Sequence, residues 1–304
     1  MAQKVLITGG SGFVGRAVAR RLVQSGANVC CVSRSGGPPA TSQDEWIRSS
    51  LIDWAKLDCT DEDQMRKLIE DYKPTAYVHA VGALLEGSHY KSVIDPFTSL
   101  ASLAGMVGGG RGGFGGFGGN GGNDNTDAST SSELTPDYNV INRDTLGVVA
   151  NCANKVSENE TGSIETKNVR TRVPFVFVSA FAAPPLVDER YIESKREAEE
   201  ILWSCSALRP IVMRPGFLYS EERDWSMALA GLLQLSSSAH KGPLVGISTA
   251  VRTMIPSGMD MSFALHPPLR VEMLADAIVQ SIANEDCFGI QEGSDIPKIG
   301  NEAN

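Results

Sequence analysis

Tyr191 and Lys195 stand four residues apart in YIESKREAEE, at the start of a helical pattern, so they share one face a turn apart. An ammonium beside a phenol lowers the phenol's pKa, which lets it exchange a proton with a carbonyl or an alcohol near neutral pH. Ser179 ends the apolar run VPFVFVSA, where its hydroxyl would polarise the same substrate oxygen. Asn142, in the helical segment before that run, would order a water behind the lysine. A tyrosine–lysine pair at this spacing also arises by chance on ordinary surfaces, so its position relative to other polar residues is what gives it weight.

A second set lies near the N-terminus. TGGSGFVG places Gly9, Gly12 and Gly15 between the β-branched run KVLIT (Lys4 to Thr8) and the helical segment Phe13 to Gln24. Glycines there let the chain turn tightly and approach a diphosphate, while the helix start offers N–H groups and partial positive charge. The pattern therefore points to a dinucleotide. At the end of the second strand, CVSR offers Ser33 and Arg34 where a carboxylate would bind a ribose 2′-hydroxyl. That favours the 2′-phosphate of NADP, with NAD possible and a solvated Arg34 as the plain reading. Asp58 in LDCTD reads either as a partner for the adenine amino group or as a helix cap.

These residues need a scaffold. Strands are expected at Lys4 to Thr8, Asn28 to Val32, Ile52 to Lys56, Ala76 to Val81, Val173 to Ala180 and Pro210 to Arg214. Helices are expected at Phe13 to Gln24, Asp61 to Tyr72, Asp137 to Val156 and Tyr191 to Ser206. Such alternation gives right-handed βαβ units, hence a Rossmann-like, doubly wound parallel α/β sheet. Residues 1–216 form that domain, interrupted by a glycine-rich insert at about 105–132 that cannot bury a core. Residues 217–304 read as a small lid or substrate region, not independent. It holds helices near Trp225 to Leu235 and at Val271 to Ala283, then a polar tail. Its Leu229, Leu232, Leu233, Leu235, Leu244, Val245 and Ile247 are core or the wall of a lipid-like pocket.

Composition narrows the classes. A net charge of −9 over 304 residues argues against a nucleic-acid partner, although the glycine-rich tract holds one Arg and two Phe. No apolar run reaches the ~18 residues that a membrane helix needs. The 6 cysteines show no CxxC spacing and read as buried free thiols, and the 4 histidines are scattered, so no metal site is expected. No acid precedes Asp44, while Lys4, Arg16, Arg20, Arg21 and Arg34 are basic. This suits either a mitochondrial presequence or a phosphate turn that avoids carboxylates.

TGGSGFVG, LDCTD, VHAVG, VSA, YIESK and MRPG occur in an order that resembles the extended and atypical short-chain dehydrogenase/reductases, over nearly all the chain except the insert. The resemblance implies a catalytic set of Ser179, Tyr191 and Lys195, with Asn142 a fourth member. It implies a cofactor shell of Gly9, Gly12, Phe13, Val14, Gly15, Ser33, Arg34, Asp58, Cys59, Ala80, Val81, Gly82, Lys195, Pro215 and Gly216. VHAVGALLEGSHYKS and RPIVMRPGFLYSEER further resemble the reductase-like accessory proteins of fungal mitochondrial coenzyme Q (ubiquinone) biosynthesis. Those proteins are related to the nucleotide-binding accessory subunit of respiratory complex I. That resemblance implies a matrix protein, peripheral to the inner membrane, with protein partners in a coenzyme Q or related assembly. It also implies a prenylated quinone-type ligand, and either an NADP-dependent oxidoreductase or a nucleotide-bound, non-catalytic subunit.

Overall fold

The computed structural model describes residues 3–38, 44–82, 137–161, 168–183, 187–221 and 267–301. Strand β1 (Lys4–Thr8) alternates between two cores: Val5 and Ile7 face one side of the sheet, Leu6 the other. β2 (Asn28–Ser33), β3 (Ile52–Lys56), β4 (Ala76–His79), β5 (Val173–Val178), β6 (Leu208–Arg214) and β9 (Gly289–Glu292) join it in the order β3-β2-β1-β4-β5-β6-β9. Every pairing in this sheet is parallel. The first core is covered by α1 (Phe13–Gln24), α5 (Val271–Ala283) and α6 (Ile296–Asn301). The second is covered by α2 (Glu62–Tyr72), α3 (Thr145–Thr161) and α4 (Arg190–Trp203). This is a Rossmann-like α/β fold. The strand order reverses direction between β1 and β4, and in such sheets ligands bind outside the carboxyl ends at that point.

Local chemistry sets the helix ends. Asp61 caps α2 by accepting from Gln64 N at 3.0 Å, and the helix stops at Lys73, whose φ is 53°. α1 starts at Gly12 with no acid in its first turn, and Arg21 in its last turn pairs with Asp276 of α5 at 2.7 Å.

The structure departs from the sequence-based expectation in two places. The helix expected from Asp137 opens instead as a π-helical turn, Asn139–Asp144, before α3. The chain beyond Ala283 is not only a polar tail: β9 adds an edge strand beside β6, and α6 packs on α5. A four-residue strand with one exposed isoleucine carries too little periodicity to be read. Arg209, 2% exposed, makes the connection by donating to the carbonyls of Ser281 (3.3 Å), Ile282 (3.0 Å), Asn284 (2.7 Å) and Cys287 (2.5 Å). It thereby caps α5 and fixes the turn that leads into β9. The described residues beyond Gly216 also include the parallel pair β7 (Leu218–Tyr219) and β8 (Leu269–Arg270). The glycine-rich insert, the helix near Trp225 and the leucines from Leu229 to Ile247 lie outside the described residues. All six cysteines are buried and free.

Candidate functional site

The glycine turn is locked by its neighbours. Gly9 has φ +78°, and a Cβ there would sit 2.8 Å from the carbonyl of Ala80 at the end of β4. A Cβ on Gly15 would sit 2.2 Å from the oxygen of Gly9. Gly12 differs: it is exposed, its N–H donates to Gly9 O at 2.9 Å, and an added Cβ meets only that oxygen at 3.1 Å. Gly9 and Gly15 therefore hold the turn against the sheet, while Gly12 leaves the mouth of α1 open. The first-turn N–H groups of a helix have no intrahelical acceptor, so this mouth fits a diphosphate. Phe13 and Val14 supply the first turn. Phe13 also lines a cavity of about 160 Å³ with Arg16, Arg20, Trp46 and Val271.

Beyond the end of β4, three predicted residues converge. A Cβ on Gly82 would lie 2.8 Å from Lys195 Nζ and 3.3 Å from Asn142 Oδ1. Lys195, 3% exposed, donates to the carbonyls of Val81 (3.3 Å) and Val178 (3.2 Å), and its ammonium lies 4.9 Å from the Phe177 ring centre. Burial pulls its pKa down to about 7, against the pull of Glu199. Asn142 is fully buried in the π-helical turn, and its Nδ2 donates to Ser194 Oγ at 3.2 Å. Ser194 in turn donates to Tyr191 O at 2.9 Å, which ties the turn to the first turn of α4. π-helical turns of this kind cluster at functional sites.

Tyr191 and Ser179 sit differently from the sequence-based expectation. Tyr191 is 9% exposed and packs edge-on against Tyr138 at 5.9 Å. Burial, then the Tyr138 hydroxyl, push its phenol up to about 12, and the opposing pull comes from Arg196. The lowering expected from Lys195 gives way to a rise, because desolvation dominates and the opposing cation is Arg196. Ser179 Oγ donates to Glu199 Oε1 at 2.6 Å and accepts from Arg196 Nη1 at 3.2 Å. Its proton is committed to the Glu199 carboxylate. The network around it was not legible in the sequence. Glu199 pairs with Arg214 and Arg196, and Arg196 Nη2 donates to Ala180 O and Phe181 O, both at 2.9 Å. Burial pushes Glu199 up, but its hydrogen bonds from Arg214 and Ser179 and the two guanidinium charges win, leaving it below the usual carboxylate range. Glu199 lies on the buried face of α4 one turn beyond Lys195, and this spacing was the available signal.

The remaining candidates fall along the carboxyl ends of the strands. Ser33 Oγ is engaged by Ser35 Oγ (3.1 Å) and Gly36 N (3.1 Å), so it shapes the turn after β2. Arg34 is exposed and close enough to Asp58 to help lower its pKa, which hydrogen bonds from Thr60 depress first. Asp58 accepts from Thr60 N (2.9 Å) and Oγ1 (2.8 Å), whereas Asp61 caps α2. The Cys59 side chain is buried in the core, where desolvation pushes its thiol up to about 12. Ala80 N donates to Thr8 O at 2.9 Å, and Pro215 O accepts from Phe181 N at 3.0 Å with Gly216 next in the chain.

The parallel sheet, its switch point and the glycine turn define a Rossmann-like protein that resembles the extended short-chain dehydrogenase/reductases. Residues 5–98 match the NAD dependent epimerase/dehydratase family. Over 295 residues the chain is 26% identical to MIOREX complex component 2 of Saccharomyces cerevisiae, covering 95% of this chain and 97% of that one. UDP-glucose 4-epimerase of Thermus thermophilus, solved with NAD, shares the fold at a TM-score of 0.52 and 15% identity, over 99% of this chain and 83% of that one. The UDP-Glc/GlcNAc 4-epimerase of Campylobacter jejuni does so at 0.54 and 12%, over 98% and 82%. Among the described residues no helix is long and apolar enough to cross a membrane.

Proposed function

We propose that this chain binds a pyridine dinucleotide, preferentially NADP, and acts as a nucleotide-bound, complex-associated protein of mitochondria in coenzyme Q biosynthesis. The observation that carries the reading is the contrast between the two halves of the site. The cradle is in place: the Gly9–Gly12–Gly15 turn at one end, Gly82, Lys195 and Asn142 at the other. The proton-transfer half is not poised, because Tyr191 is buried with its phenol raised and Ser179 gives its proton to Glu199. When bound, the dinucleotide would supply hydride chemistry. The protein's share is to hold the diphosphate on the α1 amides and the ribose near Lys195. Arg34 supports NADP over NAD, since the turn after β2 carries a guanidinium and no carboxylate. A bound nucleotide stabilises such a subunit by mass action without turning over.

The complex association is supported by similarity to a MIOREX complex component, and the mitochondrial and coenzyme Q parts by the sequence resemblance. The partners would be proteins of a coenzyme Q or related inner-membrane assembly, which the chain meets from the matrix side. A second reading, an NADP-dependent oxidoreductase on a hydrophobic carbonyl or alcohol such as a prenylated quinone intermediate, is favoured by one observation. Tyr191 and Lys195 share the buried face of α4 beside the cradle. Native mass spectrometry of the purified protein should show one NADP(H) per chain, and its absence would refute the binding reading. Tyr191→Phe then separates the two roles. Restored coenzyme Q in cells lacking the protein supports the subunit reading, and loss of coenzyme Q with nucleotide retained supports catalysis.

A further inference from the structure

His79 ends β4, three residues before Gly82, and is fully buried. Its Nδ1 lies 2.8 Å from Thr8 Oγ1 and its Nε2 lies 3.3 Å from Thr145 Oγ1. Thr145 Oγ1 also donates to Ile141 O at 2.6 Å. A hydroxyl has one proton, so Thr145, having given it to Ile141, accepts at the ring. The ring therefore carries its proton on Nε2, and Thr8 donates to the bare Nδ1. The result is a one-way chain: Thr8 hydroxyl to His79, His79 to Thr145 hydroxyl, Thr145 to the Ile141 carbonyl. It begins one residue before Gly9 and ends in the π-helical turn, one residue before Asn142.

We propose that His79 is a positioning residue that fixes the π-helical turn against the glycine turn and so places Asn142, Gly82 and Lys195 around the nicotinamide end of the dinucleotide. Both arms of that end hang from it. Gly82 follows along the β4 backbone, and Asn142 is held through Thr145 and Ile141. The imidazole takes no part in proton transfer: burial, then the Lys195 charge, hold its pKa down to about 3. A neutral ring with one donor and one acceptor suits a strut between two hydroxyls. The proposal rests on the reading that the glycine turn and the residues beyond β4 hold a pyridine dinucleotide.

The test compares the whole dinucleotide with its adenosine half. Calorimetric titration with NADP⁺ and with 2′,5′-ADP is run on the native chain, on His79→Gln and on Thr145→Val. Thr145→Val is close to isosteric and breaks the chain between the ring and Ile141. It should weaken NADP⁺ by about tenfold, the worth of one hydrogen bond at its upper range, with 2′,5′-ADP unchanged. His79→Gln carries no polar atom at the Nδ1 position, so it cannot bridge Thr8 and Thr145 as the ring does, and it should weaken NADP⁺ by a similar factor with 2′,5′-ADP unchanged. A native chain that binds neither ligand defeats the functional reading itself. A native chain that binds both, with Thr145→Val losing both equally or neither, overturns the role given to His79. Nitrogen-15 spectra of the native protein should show His79 protonated on Nε2 alone from about pH 5 to 9, and an Nδ1-protonated ring overturns the proposal independently.

Discussion

Glu199→Ala removes a carboxylate that is 3% exposed and receives Arg214 Nε at 3.0 Å, Arg196 Nη1 at 2.5 Å and the Ser179 hydroxyl at 2.6 Å. Breaking a buried ion pair from one side costs about 3–5 kcal/mol, because the partner charge stays behind uncompensated. Here the side chains left behind are 17% (Arg214) and 32% (Arg196) exposed. Partial rehydration of Arg196 places the expected loss near the lower end, about 3 kcal/mol at pH 7. With a urea slope of up to ~3 kcal/mol per molar, the unfolding midpoint should fall by about 1 M or more, followed by far-ultraviolet circular dichroism. The acid limb gives a second check. Glu199 is held below its ordinary pKa, so its contribution is complete above the unfolded value of about 4.3 and fades as pH falls through the folded one. The stabilities of the native protein and Glu199→Ala should therefore draw together as pH falls below about 4. Glu199→Gln keeps an acceptor for Ser179 and should lose less. A loss under about 1 kcal/mol for Glu199→Ala at pH 7 would refute the buried-network argument, since surface pairs are worth that little.

Gly15→Ala pushes a methyl to 2.2 Å from Gly9 O, so the glycine turn must open. The variant should lose NADP⁺ affinity by at least about tenfold in calorimetry and unfold at lower temperature, and unchanged binding would show that the turn does not hold the diphosphate. Lys195→Met tests the buried ammonium. Its folded pKa is about 7, and the unfolded value is about 10.4, so between these the unfolded chain binds the extra proton. Stability from this group therefore rises with pH from about 7 to about 10, and urea unfolding of Lys195→Met should lack that rise. An identical slope in variant and native protein would assign the proton elsewhere.

The sequence alone determined the parallel α/β sheet, the glycine turn and the register of Tyr191 and Lys195. These are local signals: buried strands read as apolar runs, glycines mark a backbone that must bend, and a four-residue spacing fixes a helix face. It did not reveal β9, whose four residues have almost no pattern of their own and whose place is set by Arg209 reaching the end of α5. Nor could it show the hydrogen-bond chain through His79 or the Glu199 network, whose partners are brought together across the sheet from distant parts of the chain. Tertiary structure also decided the sign of a chemical property. Spacing put a cation one turn from the Tyr191 phenol, but burial raised that phenol, because in a packed site desolvation depends on every neighbour and spacing reports only one.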